Sequence, residues 1–203
     1  MELNELTDID IWASFKKGND VAFAHIYATY SKRLFQYGLK FTSDHLLVED
    51  AIHDLFTLLI KKRRRLGDTN NILFYLLKAL KRILLRKLEK ENRLLYSEET
   101  PNYKFDISWS VEQQIIVEET IQYKNALLLK ALNSLTPRQK EAVYLRFTKE
   151  LDYQSVAEIM GVSVEACRNL ISKAISVLKQ NLFDKEKNSI VLLAISLKTA
   201  SKF

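Results

Sequence analysis

The chain has 203 residues, with 31 Lys and Arg against 25 Asp and Glu for a net charge of +6, and it is 47% hydrophobic and 28% charged. With only 4 Gly and 2 Pro, this composition excludes a disordered, collagen-like or turn-rich all-β chain and favours helices. The single cysteine, Cys167, excludes an intrachain disulfide and a cysteine-based zinc site and fits a reducing compartment.

The expected location is cytoplasmic. Met1 to Glu5 is acidic and no apolar stretch follows it. The apolar run from Ile190 to Leu197 falls far short of the roughly 20 residues that a membrane span needs.

From the N-terminus, apolar residues recur at helical spacing in Ala22, Phe23, Ile26, Tyr27 and Tyr30, then in Leu34, Tyr37 and Leu39, and again in Ala51, Leu55, Leu58 and Leu59. The pattern predicts three or four helices in an N-terminal unit at 8–95. Within it, Glu49, Asp50, His53 and Asp54 form an acidic helix edge beside Ile52, Leu55 and Phe56. Such an edge suits docking on a partner as well as plain solvation. Glu49 and His53 stand one turn apart, but two ligands do not make a metal site. No Gly-rich phosphate loop or nucleophile elbow occurs, so neither catalysis, a metal nor a cofactor is expected.

Charge then concentrates sharply. Lys61 to Arg93 holds twelve basic and three acidic residues, a net of +9 that exceeds the charge of the whole chain. Read at 100° per residue, the predicted helix over 71–93 puts Leu73, Leu76, Leu77, Leu80, Leu84 and Leu88 on one side. Tyr75, Lys78, Arg82, Arg86 and Arg93 fall on the other, with Lys81 beside them in sequence. A one-signed stripe of this kind neutralises phosphates spaced along a nucleic-acid backbone, and an aromatic at its head stacks on an unpaired base. A solvated helix face is the plainer alternative.

The segment 96–122 reads as an acidic linker. From Ser97 to Thr120 it carries six acids against Lys104 alone, together with Pro101 and a stretch lacking helical period. A C-terminal unit is predicted at 123–183. Thr136-Pro137-Arg138-Gln139 is a helix start, with Thr136 as cap, Pro137 at the first helical position and Gln139 reaching back. Beyond it, Tyr153 to Leu170 has helix-turn-helix spacing, with Ala157 at the helix crossing, Gly161 in the turn and Ser163 capping the second helix. Cys167, Ile171, Ala174 and Leu178 are expected to face inward. That leaves Glu165, Arg168, Asn169, Ser172 and Lys173 available to a major groove, where Arg and Asn make bidentate contacts to guanine and adenine. An αα-hairpin that binds nothing is the alternative. A tail, 184–203, follows, and its apolar run Ile190 to Leu197 is expected to pack as an added element or to bind a regulator.

Taken in this order, these segments resemble the bacterial RNA polymerase sigma factors of the small, two-domain extracytoplasmic-function (ECF) type. Phe15 to Tyr30 looks like the first helix of the family's promoter-melting domain. Val48 to Phe56 is similar to the second, and Asn133 to Arg146 with the helix-turn-helix resembles the domain for the upstream, minus-thirty-five element. The resemblance implies an all-α chain of two helical domains, acting as a dissociable polymerase subunit that performs no covalent chemistry. Its implied partners are core RNA polymerase, met at the beta-prime clamp helices and the beta flap, promoter DNA, and an anti-sigma factor; the free protein is expected to be a monomer. By the same resemblance Glu49, Asp50, His53, Asp54 and Phe56 lie on the core-binding surface. Lys78, Lys81, Arg82 and Arg86 lie where the minus-ten element is opened, and Glu165, Arg168, Asn169, Ser172 and Lys173 face the upstream element. The linker would thread toward the polymerase active-site cleft, a channel built for a negative strand.

Two positions depart from the family pattern. His53 stands where Gln is usual and still offers a hydrogen bond. Lys81-Arg82 stands where an Arg-Asn pair is common, and Arg lacks the paired donor and acceptor that an amide presents to a flipped adenine, so an altered minus-ten preference is expected. The competing function classes are an autonomous helix-turn-helix regulator, which would dimerise on a palindrome, and a sigma-like interaction protein that has lost DNA binding.

Overall fold

The computed structural model describes residues 6–95, 104–107 and 128–183; the tail, most of the acidic stretch and the side chains of 92–95 and 182–183 lie outside that set. Every regular element among the described residues is helical. The chain divides into two compact units, Met1–Tyr103 and Lys104–Phe203.

The first unit is built from α1 (Asp8–Lys16), α2 (Asp20–Gly38), α3 (His45–Lys62), a 3-10 turn (Arg63–Arg65) and α4 (Ile72–Leu95). Each helix begins where a short polar side chain satisfies otherwise unpaired backbone N–H groups. Thr7 and Asp10 exchange side-chain and backbone bonds in a capping box at α1. The Asn19 side chain accepts from Val21 and Ala22 at α2, and Asp44 accepts from Leu47 at 3.0 Å at α3.

The start of α4 is held twice. Asn71 Oδ1 accepts from Phe74 N at 2.8 Å, and Asp8 Oδ2, reaching across from α1, accepts from Ile72 N at 2.7 Å. The other oxygen of Asp8 accepts from the Tyr30 hydroxyl of α2 at 3.1 Å. One carboxylate therefore ties three helices together. Burial, reinforced by this neighbouring charge, pushes the Tyr30 phenol up to about 12.

Ile11, Trp12 and Phe15 of α1 close on Ala22, Ile26 and Leu34 of α2, Val48, Ala51, Leu55 and Leu59 of α3, and Ile72, Leu76, Leu77, Leu80 and Leu84 of α4. Fully burying a leucine contributes about 1.5–3 kcal/mol, so the leucine face fixes the rotation of α4 about its axis. Gly38, the last residue of α2, permits a close approach to α3, because a Cβ added there would stand 2.5 Å from Val48 Cγ1. The loop before α4 is pinned to α1, where Trp12 Nε1 donates to Gly67 O at 2.9 Å and Lys16 pairs with Asp68 at 2.6 Å.

The second unit contains a helical stretch at 128–133, then α5 (Pro137–Val143), which runs on through a π-helical turn (Tyr144–Thr148), α6 (Tyr153–Met160) and α7 (Val164–Phe183). Its core joins Leu128, Leu132, Leu135, Val143 and Leu145 to Val156, Ile159, Cys167, Ile171, Ala174 and Leu178. Lys104–Ile107, within the predicted acidic linker, packs on this unit. Phe105 and Ile107 are buried, the Phe105 ring meets Tyr144 edge-on at 5.7 Å, and Asp106 pairs with Lys140 at 3.3 Å. Two buried apolar residues, Phe105 and Ile107, suffice to hold this short segment against a core despite its acidic surroundings.

Candidate nucleic-acid and docking surfaces

The C-terminal motif is organised by three local devices. Asp152 accepts from Ser155 N at 2.7 Å to start α6, Gly161 adopts the left-handed φ of 66° that ends it, and Ser163 Oγ accepts from Ala166 N at 3.1 Å to start α7. The Val162 N–H returns to Ala157 O at 3.0 Å and fixes the angle of exit. With Cys167, Ile171, Ala174 and Leu178 buried, the helical period forces Glu165, Arg168, Asn169, Ser172 and Lys173 to the outside, and all five are exposed on one face. Burial raises the Cys167 thiol above its ordinary value, keeping it an apolar core group. Upstream, Thr136 and Gln139 form the capping box expected of them, with Pro137 in the first turn of α5.

One ring and two arginines complete the motif in a way that periodicity does not reveal. Arg146, from the π-helical turn, lies 4.9 Å from the Tyr153 ring centroid and donates through Nη1 to Leu151 O at 2.9 Å. Arg168 of α7 lies 5.6 Å from the same centroid. The cue in the sequence is an aromatic at the first position of α6, which carries no periodic signal.

On α4, Arg82, Arg86 and Lys90 are exposed at successive turns, and Lys78 lies over the Phe74 ring at 5.5 Å. Two expectations for this helix are corrected. Lys81 is only 6% exposed: it sits four residues after Leu77 and three before Leu84, so it shares their inward face and its aliphatic stem packs there. Tyr75 does not stand free as a stacking platform; its ring packs on Trp12 at 4.8 Å, and burial raises its phenol above the ordinary value. Arg93 falls outside the described side chains.

On α3, Glu49, Asp50 and His53 are exposed and Asp54 is half-buried. Asp50 and Asp54 are already engaged, because Lys87 of α4 pairs with Asp50 and, at 2.7 Å, with Asp54. The hydrogen bond from Lys87 holds the Asp50 carboxyl below its usual range, and the bonds to Asp50 and Asp54 hold the Lys87 ammonium above its own. The expectation for Phe56 is also corrected. It is 4% exposed, with its ring 4.8 Å from that of Tyr27 and 6.0 Å from that of Phe23, so it supports the surface from beneath. Beside this edge an open groove of about 750 Å³ runs between α2 and α3, floored by Phe23, Ile52 and Phe56 and flanked by Tyr27, Glu49 and His53. Tyr27 and Ile60, on its walls, are 49% and 44% exposed.

Among the described residues no group of three or more His, Cys, Asp or Glu could hold a metal ion, and no helix is long and apolar enough to cross a membrane. What the arrangement offers is three exposed surfaces of distinct chemistry: a mixed polar face on α7, a cationic face on α4, and an acidic edge with an aromatic groove on α3.

Residues 125–178 match the family model for sigma-70, region 4. No curated protein sequence matches the chain. Solved structures that share its fold include the following two. CnrH, solved in complex with the cytosolic domain of CnrY, is 17% identical, with 88% of this chain and 99% of that one covered at a TM-score of 0.57. The sigma factor RpoE of Bartonella quintana, solved with the anti-sigma factor NepR, is 19% identical, with 81% of this chain and 98% of that one covered at a TM-score of 0.59.

Proposed function

We propose that this protein is a sigma factor of the extracytoplasmic-function type that docks on core RNA polymerase through α3 and reads and opens promoter DNA through α7 and α4. The observation that carries the reading is the α7 face. Five polar side chains, expected from spacing alone to meet a major groove, are exposed together on the second helix of a motif that lies within the region 4 match.

In this reading Arg168 and Asn169 contact base edges of the minus-thirty-five element, while Lys173 and Ser172 contact phosphate and Glu165 accepts from cytosine. Arg82, Arg86 and Lys78 hold the backbone of the opened minus-ten strand, whose charge makes binding depend steeply on salt. Glu49 and His53, with the neighbouring groove, meet the beta-prime clamp helices, and Phe56 acts from below by fixing Tyr27. Lys81 maintains the seat of α4 and does not touch DNA. The beta flap is the proposed second polymerase contact. An anti-sigma factor is the proposed antagonist, a reading supported by the partner present with RpoE. The role is one of binding and positioning on core polymerase in the cytoplasm, and the protein is a monomer when free.

The test is transcription by sigma-free core polymerase on pooled genomic fragments, with and without the protein. Defined start sites that require it are the expected result. Co-elution with core without initiation would leave only a regulatory role, and specific DNA binding without core would favour an autonomous regulator.

A further inference from the structure

Among the five residues on the α7 face, Arg168 alone is an arginine, and it is also held by a residue outside α7. Its guanidinium lies 5.6 Å from the centroid of the Tyr153 ring, within cation–π range. That ring is in turn fixed. Tyr153 is the first residue of α6, where the Asp152 cap sets the backbone, and Arg146 lies 4.9 Å from the same centroid. Arg146 is anchored by its bond to Leu151 O at 2.9 Å, while its Nε is buried with no hydrogen-bond partner. The side of this guanidinium is therefore turned to the ring and the core rather than to water.

We infer that Tyr153 is a positioning residue for promoter reading: its ring holds the Arg168 guanidinium in place before DNA arrives, and Arg146 holds the ring. The inference rests on the proposed role of Arg168 at the upstream element. An exposed arginine has many rotamers to lose when it makes a bidentate contact, and a ring that already restricts them reduces that loss. The planar guanidinium can rest on an aromatic face while its edge donors stay free for guanine or phosphate, which a lysine ammonium cannot do. Tyr153 thus raises affinity for the correct element without touching DNA.

The experiment is a double-mutant cycle in the full chain assembled with core polymerase, reading the affinity of the holoenzyme for a promoter fragment obtained from the transcription pool. Tyr153→Leu is expected to weaken binding about two- to fivefold where Arg168 is present and to have no further effect in the Arg168→Ala background. Tyr153→Phe is expected to retain wild-type affinity. Core binding and the thermal midpoint of each variant report whether α6 still folds. Should Tyr153→Leu unfold the unit, fluorinated phenylalanines at position 153 keep the shape and weaken the ring's attraction for a cation. Affinity should then fall with each added fluorine only where Arg168 is present. Equal losses in both backgrounds, or no loss in either, would overturn the positioning role while leaving the proposed function intact. If Arg168→Ala itself costs nothing, the DNA-reading assignment of Arg168 fails, and the positioning role fails with it.

Discussion

The Asp8 carboxylate in α1 accepts the first backbone N–H of α4, that of Ile72, at 2.7 Å. One of the two side chains that cap the cationic helix is thus supplied from 64 residues away in sequence. Asp8→Ala removes this cap and the partner of the Tyr30 hydroxyl together. It is expected to destabilise the N-terminal unit by about 1–2 kcal/mol, measured by urea unfolding. Tyr30→Phe, which removes only one of the two bonds, should cost less. Equal losses would mean that the α4 cap contributes nothing.

Gly38→Ala places a methyl 2.5 Å from Val48 Cγ1 in a fully buried contact. Relief requires α2 and α3 to separate, so the expected cost is about 1–3 kcal/mol. Val48→Ala makes room for the methyl. The double variant should therefore be more stable than the sum of the single losses predicts, and strict additivity would contradict the close approach.

The Lys87 clasp makes a signed prediction about pH. Asp50 is depressed below 3.8 in the folded chain, so its contribution is present above that value and is lost as pH falls through the lower folded one. Lys87 is raised above 10.5, so its contribution is present below that value and is lost as pH rises through the higher folded one. In unfolding series across pH, the stability gap between wild type and Lys87→Met should hold at neutral pH and close at both extremes. A gap independent of pH would show that Lys87 stabilises through its stem alone.

How much of this was legible in sequence differs between the two units. The α7 face was readable because caps and period act locally: Ser163 starts the helix, and Cys167 and Ile171 then dictate where Arg168 and Lys173 point. The same period, applied to every basic residue of α4, would have sent Lys81 inward with Leu77 and Leu84; a count of charge alone does not assign an angle. Phe56 follows the same rule through Ile52 and Leu59. The Lys87 clasp, the Asp8 cap and the packing of Phe105 on Tyr144 depend on which helices meet, and no local pattern encodes that. The acidic composition around Phe105 masked two apolar residues that are enough to anchor a short segment.

Arg82 is exposed on α4 at a position where an amide is common in the family that the chain resembles. Arg82→Asn is expected to shift promoter choice toward sites whose minus-ten element offers a flipped adenine, as read by sequencing start sites from the pooled fragments. An unchanged set of start sites would show that Arg82 has no part in minus-ten selection.

The division of labour between the units is tested most directly by measuring core binding and promoter-dependent initiation side by side for two variants, Glu49→Lys with His53→Lys and Arg168→Ala with Lys173→Ala. Reversing charge at the α3 edge should weaken core binding by about tenfold or more. Removing the α7 cations should leave core binding at the wild-type level and abolish defined start sites. Loss of core binding in the α7 variant, or full core affinity in the α3 variant, would contradict the assignment of docking to α3 and reading to α7.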